Sequence, residues 1–494
     1  MVAALPKELP KIEKCMPNHT SLYYNGGWHE PQDGQYRETW NPGNGTVITK
    51  VAFAGEKDTA AAIKAAQAAY PAWRATPPME RGKLLRKVAD VLRKHSVELA
   101  MLDALNIGSP ITIMAGDAIF AAEHIEFFAG LIPAITGETM DLGEATFNYT
   151  LREPLGVVAR IVASNHPLMF TGFKLAAPLA MGNTIVIKPP EQAPLSALRF
   201  MELIGDIFPP GVLNVVTGGI ECGKELSTNL MVKKITLVGS LPTGRAIQKA
   251  SAESLKQTAY ELGGKNPLIA YPDADIDSLV DGVVAGMNWS WCGQSCGSTS
   301  RIFLHESLHD EVLEKVTEKL KKSYKPGPPL DPRTTMGSMV SKVAQDRVRR
   351  YVQLGKDEGA RLVTGGSPPT TDETKGGYFF EPTIFADVKQ TMKIATEEVF
   401  GPIVSVLKWS DEEKMYEEVN GVEYGLTGAV YTSDMKTAQK AVRRIESGTV
   451  WVNNVGTHFL SMPFGGYKQS GIGREDCLEE LLSFTQVKSV HVKV

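Results

Sequence analysis

Residues 156–164, GVVARIVAS, with 183–190, NTIVIKPP, 212–218, VLNVVTG, and 233–240, KKITLVGS, decide the fold. Each is a short run rich in β-branched residues, and each is continuously apolar rather than alternating. Helical stretches separate or follow them at 168–181, 194–207 and 242–254. A βαβα rhythm built from continuous apolar strands predicts a parallel sheet covered by helices on both faces. Downstream the rhythm repeats: NPLIAY (266–271), a helix over 275–288, RIFLH (301–305) and a helix over 308–323 predict a second α/β unit. After the Pro-rich break KPGPPLDP (325–332) further elements end in GLTGAVYT (425–432) and TVWVNN (449–454), and the terminal TQVKSVHVKV reads as an extended arm. Upstream, 58–74 reads as an Ala-rich helix capped by Asp58. Pro77-Pro78 interrupts it, and 79–105 reads as one longer amphipathic helix.

The chain has 494 residues, 43% hydrophobic and 22% charged, with 52 Lys plus Arg against 56 Asp plus Glu, a net charge of −4. That balance excludes a protein that grips nucleic acid by bulk positive charge, and the hydrophobic fraction excludes an acidic disordered chain. No run of 18 apolar residues predicts a membrane span. The opening MVAALPKELPKIEK lacks a signal-peptide core, and the five cysteines are odd in number and unpatterned. A cytoplasmic protein without a disulfide framework is the expectation.

Three short patterns invite other readings. His305-Glu306-Ser307-Leu308-His309 fits H-E-x-x-H, but His305 ends a strand and Ser307 is placed to cap the next helix, so the two rings do not share a helical face. Gly218 to Lys224 fits G-x-x-x-x-G-K, but Glu225 stands where a phosphate loop needs Ser or Thr. Cys292 and Cys296 form C-x-x-x-C with no second pair for a metal site, so no metal is assigned.

Other segments suit chemistry. Cys296 sits in the glycine-flanked loop GQSCG between a helix and a strand, where the backbone can approach a ligand. Glu261 ends the strand KQTAYE and precedes Gly263-Gly264, a place for a general base or for a solvated charge. Asn165 follows GVVARIVAS, where its amide either donates to a developing oxyanion or serves a turn. Lys188 and Glu191 in KPPE end NTIVI, a place for ribose hydroxyls. Gly239, Ser240 and Gly244 open the helix after KKITLVGS, whose free N–H groups suit a pyrophosphate. The usual G-x-G-x-x-G is absent.

Together with EEVFGP (397–402) and PFGGYKQSGIGRE (463–475), these segments resemble the aldehyde dehydrogenase superfamily from about Tyr23 to the C-terminus. The resemblance implies an α/β subunit in three parts. A Rossmann-like NAD-binding domain would take 1–131 and 155–262, a second α/β catalytic domain 263–464, and a small β oligomerisation arm 132–154 with 479–494. It further implies a homodimer or homotetramer, NAD as cofactor with NADP as the alternative, and an aldehyde substrate. On this likeness Cys296 is the nucleophile, Glu261 the base for deacylation, Asn165 an oxyanion donor, and Lys174 and Glu475 support the site. Lys188, Glu191 and Ser240 match contacts to the adenosine half of the cofactor, and Gly239, Gly244 and Leu262 match further cofactor-binding positions. Glu398 and Phe400 match its nicotinamide-ribose contacts.

The substrate pocket is expected from His166, Phe170, Phe173, Trp289, Trp291, Ser295, His458 and Phe464. Two departures stand out. Ala163-Ser164-Asn165 replaces the family's usual Pro-Trp-Asn, and His166 replaces a position that is often aromatic. An apolar pocket without a basic cluster favours an uncharged aromatic or branched aliphatic aldehyde. A quaternary ammonium or amino aldehyde held by cation–π contact, and an inactive binding protein, are the alternatives.

Overall fold

The computed structural model describes residues 5–493; residues 1–4 of the expected cofactor domain and Val494 of the expected arm lie outside the described residues. The four deciding segments become strands of an eight-stranded sheet. Leu213–Val215, Thr184–Lys188, Val157–Ile161, Val232–Val238 and Gln257–Glu261 lie side by side in that order, all parallel. Numbered along the chain this order is 3-2-1-4-5, the doubly wound arrangement whose switch point lies between Val157–Ile161 and Val232–Val238. Every residue of Val157–Ile161 and Thr184–Lys188 is buried, which accounts for their unbroken apolar runs.

A second, seven-stranded sheet holds Thr383–Ala386, Ile403–Trp409, Arg301–His305, Pro267–Ala270, Thr427–Tyr431 and Thr449–Val452 in parallel, with Arg361–Thr364 antiparallel at one edge. Only residues 262–266 separate the last parallel strand of the first sheet from the first strand of the second. The chain later returns to the first sheet. Gly471–Ile472 pairs antiparallel with Gln257–Glu261, setting Gly471 opposite Glu261. Thr485–Lys493 pairs with Thr146–Pro154 along its whole length in a three-stranded antiparallel sheet. Residues 478–482 are helical, and the following strand begins at Thr485, where TQVKSVHVKV begins.

Three local expectations are corrected. The first helix runs Glu56–Ala75 with Gly55 at its N-cap, and Asp58 is buried inside the first turn, where it accepts the Gln32 N–H at 3.1 Å. The expected helix over 79–105 is two helices, Pro78–Lys94 and Ser96–Ile107, broken at His95. The break lets the first pack against Asp117–Leu131 and the second against Leu195–Ile204, so each buries its own apolar face. The helix after RIFLH starts at His309 behind Leu308, and Ser307 bonds the His305 ring at 2.8 Å instead of capping it. His309 turns to Asp310 at 2.7 Å, so the two imidazoles of H-E-x-x-H keep separate partners. Lys224 of the glycine-loop pattern pairs with Glu221 on an exposed helix face.

Candidate functional site

Parallel register carries the dispersed motifs to one edge. Ile161 stands beside Lys188 and Leu237, and Val238 beside Glu261, so Asn165, Lys188, Gly239, Ser240 and Glu261 all follow or end strands at the sheet's carboxyl edge. Open α/β sheets bind ligands at this edge, next to the switch point. Ser240 caps the helix Leu241–Ala252, and a Cβ at Gly244 would come 2.8 Å from Leu262. The helix N-terminus is thereby held close against the strand end. The Lys188 amine is buried, and burial pushes its pKa down; its one hydrogen bond is a long contact to the Pro189 carbonyl, 3.4 Å. Glu191 is exposed, with a carboxylate oxygen 3.2 Å from where a Cβ would stand on Gly219. A carboxylate and an under-bonded ammonium beside glycine backbone and an open helix end fit the ribose and phosphates of a dinucleotide.

The connection from Glu261 into the second sheet explains its two glycines. A Cβ on Gly263 would lie 2.2 Å from the Glu398 carboxylate, and one on Gly264 would lie 2.4 Å from the Cys296 carbonyl. Glu398 accepts the Gly264 N–H at 3.0 Å, and the Ser470 hydroxyl donates to the Gly263 carbonyl at 2.7 Å. Thus ELGGK, EEVFGP, GQSC and the C-terminal glycine motif meet at one junction. Phe400 adopts φ +50°, and its carbonyl accepts from Arg347 at 3.2 Å. Leu262 is tied to the returning chain through the Ser470 carbonyl at 2.9 Å.

The two cysteines of the loop part company. Cys292 is fully buried and joins the second-sheet core, and burial pushes its thiol far up. Cys296 keeps partial exposure, and the Glu261 carboxyl group lies close enough to act on the ionisation of its thiol. Burial pushes the Glu261 carboxyl up to about 8, with the neighbouring Cys296 thiol acting the other way. Burial and the neighbouring Glu261 charge both push the Cys296 thiol up. Two acids this close cannot both ionise readily.

Behind Glu261 a chain of charges runs inward. Lys174 is ion-paired with Glu475, whose other oxygen lies 3.6 Å from Arg160; Arg160 also reaches Glu480 at 3.2 Å. Lys174 favours the ionised form of Glu261 and Glu475 opposes it. Asn165 lines a cavity with Trp291, Gln294 and Phe400, while Ser295, Glu398 and Phe400 line a second. Phe400 borders both.

The expected pocket is only partly assembled. His166 lies 5.1 Å from Trp291 and 5.9 Å from Phe170, Phe170 lies 6.0 Å from Phe173, and His458 lies 4.7 Å from Phe464. Trp289 is a correction. After the left-handed turn at Asn288 it packs inward among Leu268 and Val283 in the second-sheet core, 1% exposed, and does not line either cavity. Sequence reasoning missed Asn266, whose amide donates to the carbonyls of Cys296 and Ser298, and Arg160, whose guanidinium backs Glu475. It also missed Asp117, which holds His166 at 2.9 Å. A polar residue directly after ELGGK was the one available signal for Asn266.

Residues 28–490 match the model of the aldehyde dehydrogenase family. The chain is 51% identical over 491 residues to the aldehyde dehydrogenase tropH of Talaromyces stipitatus, covering 98% of this chain and 95% of the relative. It is 40% identical over 475 residues to a betaine aldehyde dehydrogenase of Mesorhizobium japonicum, covering 96% and 97%. A solved NAD⁺ complex of an aldehyde dehydrogenase from Bacillus cereus superposes with TM-score 0.94 at 38% identity, covering 99% of both chains. No helix among the described residues is long and apolar enough to cross a membrane.

Proposed function

The chain belongs to the aldehyde dehydrogenase family and is an NAD-dependent oxidoreductase of aldehydes, and on that premise we propose that Cys296 carries the substrate through a thiohemiacetal and a thioester that water then hydrolyses. The convergence of Cys296 and Glu261 at one junction, where each acts on the ionisation of the other, carries this reading. Of the two acids Glu261 ionises first. Its carboxylate takes the thiol proton, and the sulfur is left as the one anion of the pair. The thiolate adds to the carbonyl carbon while the Asn165 amide and the Cys296 N–H donate to the oxygen.

NAD, when bound along Lys188, Glu191, Ser240, Glu398 and Phe400, supplies the acceptor for the hydride. Collapse of the tetrahedral oxygen leaves an acyl group on sulfur. Glu261 then accepts a proton from the attacking water, and the carboxylic acid departs as the thiolate re-forms. Lys174 favours the ionised form of Glu261 that this step needs, and Glu475 opposes it. Glu191 supports NAD over NADP, since a carboxylate repels a 2′-phosphate.

The aromatic surroundings of His166 support an uncharged aromatic or branched aliphatic aldehyde. A betaine-type aldehyde is the second reading, favoured by the Mesorhizobium relative and by the same aromatic rings. The three-stranded arm, with exposed Phe147, Leu151 and Val487, supports assembly into a dimer or tetramer. The test is NADH formation across aliphatic, aromatic and ammonium aldehydes. Activity that disappears in Cys296→Ala supports the reading; full activity in that variant overturns it.

A further inference from the structure

Three imidazoles stand among the aromatic rings beyond Asn165. The helix Asp117–Leu131 supplies Asp117 and His124, the turn before Pro167–Phe173 supplies His166, and the loop before Phe464 supplies His458. Each ring is in a different situation. His124 is 2% exposed; its Nδ1 meets the Phe120 carbonyl at 2.9 Å and its Nε2 faces Asp476 at 3.5 Å, so both nitrogens are occupied. His458 stands at the exposed rim against Phe464.

His166 differs from both. Its Nδ1 is committed to Asp117 at 2.9 Å, its Nε2 has no partner among the described residues, and its side chain keeps 14% exposure. The ring lies 5.1 Å from Trp291, which shares a cavity with Asn165. A carboxylate on Nδ1 keeps a proton on that nitrogen and, against the opposing effect of burial, holds the ring's pKa above its ordinary value; above that pKa the ring is neutral and Nε2 is an oriented acceptor. Asp103, which accepts the Leu168 N–H at 3.0 Å, adds a second acid behind the ring. A ring already paired with a carboxylate suits a neutral hydroxyl rather than a second anion.

We propose that His166, aimed by Asp117, is a specificity-determining residue that accepts a hydrogen bond from a ring hydroxyl of a planar aromatic aldehyde, while Trp291 and Phe170 flank the ring. The proposal rests on the aldehyde-oxidising reading above and names the substrate class of that site. A site built to pair a substrate hydroxyl discriminates strongly against an analogue that lacks it, because the buried acceptor is then left unpaired. Asp117 acts through His166 and is a positioning residue.

The test compares kcat/KM for the 2-, 3- and 4-hydroxybenzaldehydes with the matching methylbenzaldehydes, which keep shape and lose the donor. The same pairs are also measured as equilibrium affinities for the Cys296→Ala protein, where no turnover occurs. At least one hydroxyl isomer should exceed its methyl partner by about tenfold or more in both readouts. The ratio should fall to near one with His166→Phe, be partly kept with His166→Gln, and drop with Asp117→Asn. Equal treatment of hydroxyl and methyl at every position overturns the proposal, as does a ratio that survives His166→Phe. An affinity ratio without NADH formation from any aldehyde would support the subsite and overturn the oxidation reading instead.

Discussion

The side-chain amide of Asn266 donates to the Cys296 carbonyl at 2.7 Å, while its oxygen accepts the Thr427 N–H at 3.1 Å. One residue thus ties the proposed nucleophile's loop to the start of the second sheet, and a second bond to the Ser298 carbonyl at 2.9 Å fixes the far side of the same turn. Removing it leaves buried carbonyls unpaired, at about 1–3 kcal/mol each. Asn266→Ala should lower kcat by about 10²-fold, as expected when a reacting group is displaced by an ångström. Its melting temperature should also fall by several degrees. Steady-state kinetics with a calorimetric scan checks both; unchanged kcat in a folded variant would remove Asn266 from the positioning of Cys296.

Cys292 and Cys296 should respond oppositely to substitution. Cys292 is enclosed in the second-sheet core, so Cys292→Ala should cost about 1–3 kcal/mol of stability and leave most aldehyde oxidation in place. Cys296→Ala should remove oxidation and leave NAD binding intact. Parallel NADH assays and cofactor titrations decide the matter, and reversed phenotypes would move the nucleophile to Cys292.

Much of this site is legible in the sequence because its parts lie at strand ends. Apolar runs locate the strands, and the residues following them, Asn165, Lys188, Gly239 and Glu261, are set at one edge by parallel register alone. What the sequence conceals is contact between distant segments. Glycines 263 and 264 read only as permissive until Glu398 and Cys296 are seen against them. Trp289 and Trp291 look equivalent in sequence, yet Trp289 faces the core and Trp291 a cavity, because the left-handed residues Asn288 and Cys292 twist the short turn between them. Arg160 sits mid-strand in an apolar run and gives no hint that it faces Glu475 across 315 residues. The break at His95 follows from tertiary packing, which local periodicity does not report.

Glu261 predicts a pH signature in both stability and rate. Its folded pKa of about 8 lies above the ordinary 4.5, so the folded chain holds a proton that the unfolded chain has released. Stability from this group is therefore full below about 4.5 and declines as pH rises toward 8. Glu261→Gln should remove that slope and exceed the native protein in stability at pH 8–9, by an amount on the order of a few kcal/mol. Native turnover should rise through about pH 8 where deacylation limits it, and the variant should lose that rise. Denaturant unfolding at several pH values tests the first half. A native protein as stable at pH 8 as at pH 5 would contradict it.

Glu191 should set cofactor choice. Glu191→Ser removes a negative charge at the proposed ribose site and should shift the kcat/KM ratio toward NADP by about tenfold or more, with NAD use weakened by the lost hydroxyl contacts. The ratio of the two specificity constants is the readout, and an unchanged ratio would place the adenosine ribose elsewhere.

The central claim is that the acyl group passes through the sulfur of Cys296 and waits there for water activated by Glu261. Its most direct measurement is peptide mapping by mass spectrometry of Glu261→Gln protein, mixed with NAD and an oxidisable aldehyde and quenched in acid within the first turnover. The peptide bearing Cys296 should carry an acyl group matched one for one by NADH, formed more slowly than in the native protein because the thiol has lost its base, and persisting because the attacking water has lost its base too. An acyl group on Cys292, or a burst of NADH with no acylated peptide, would contradict it.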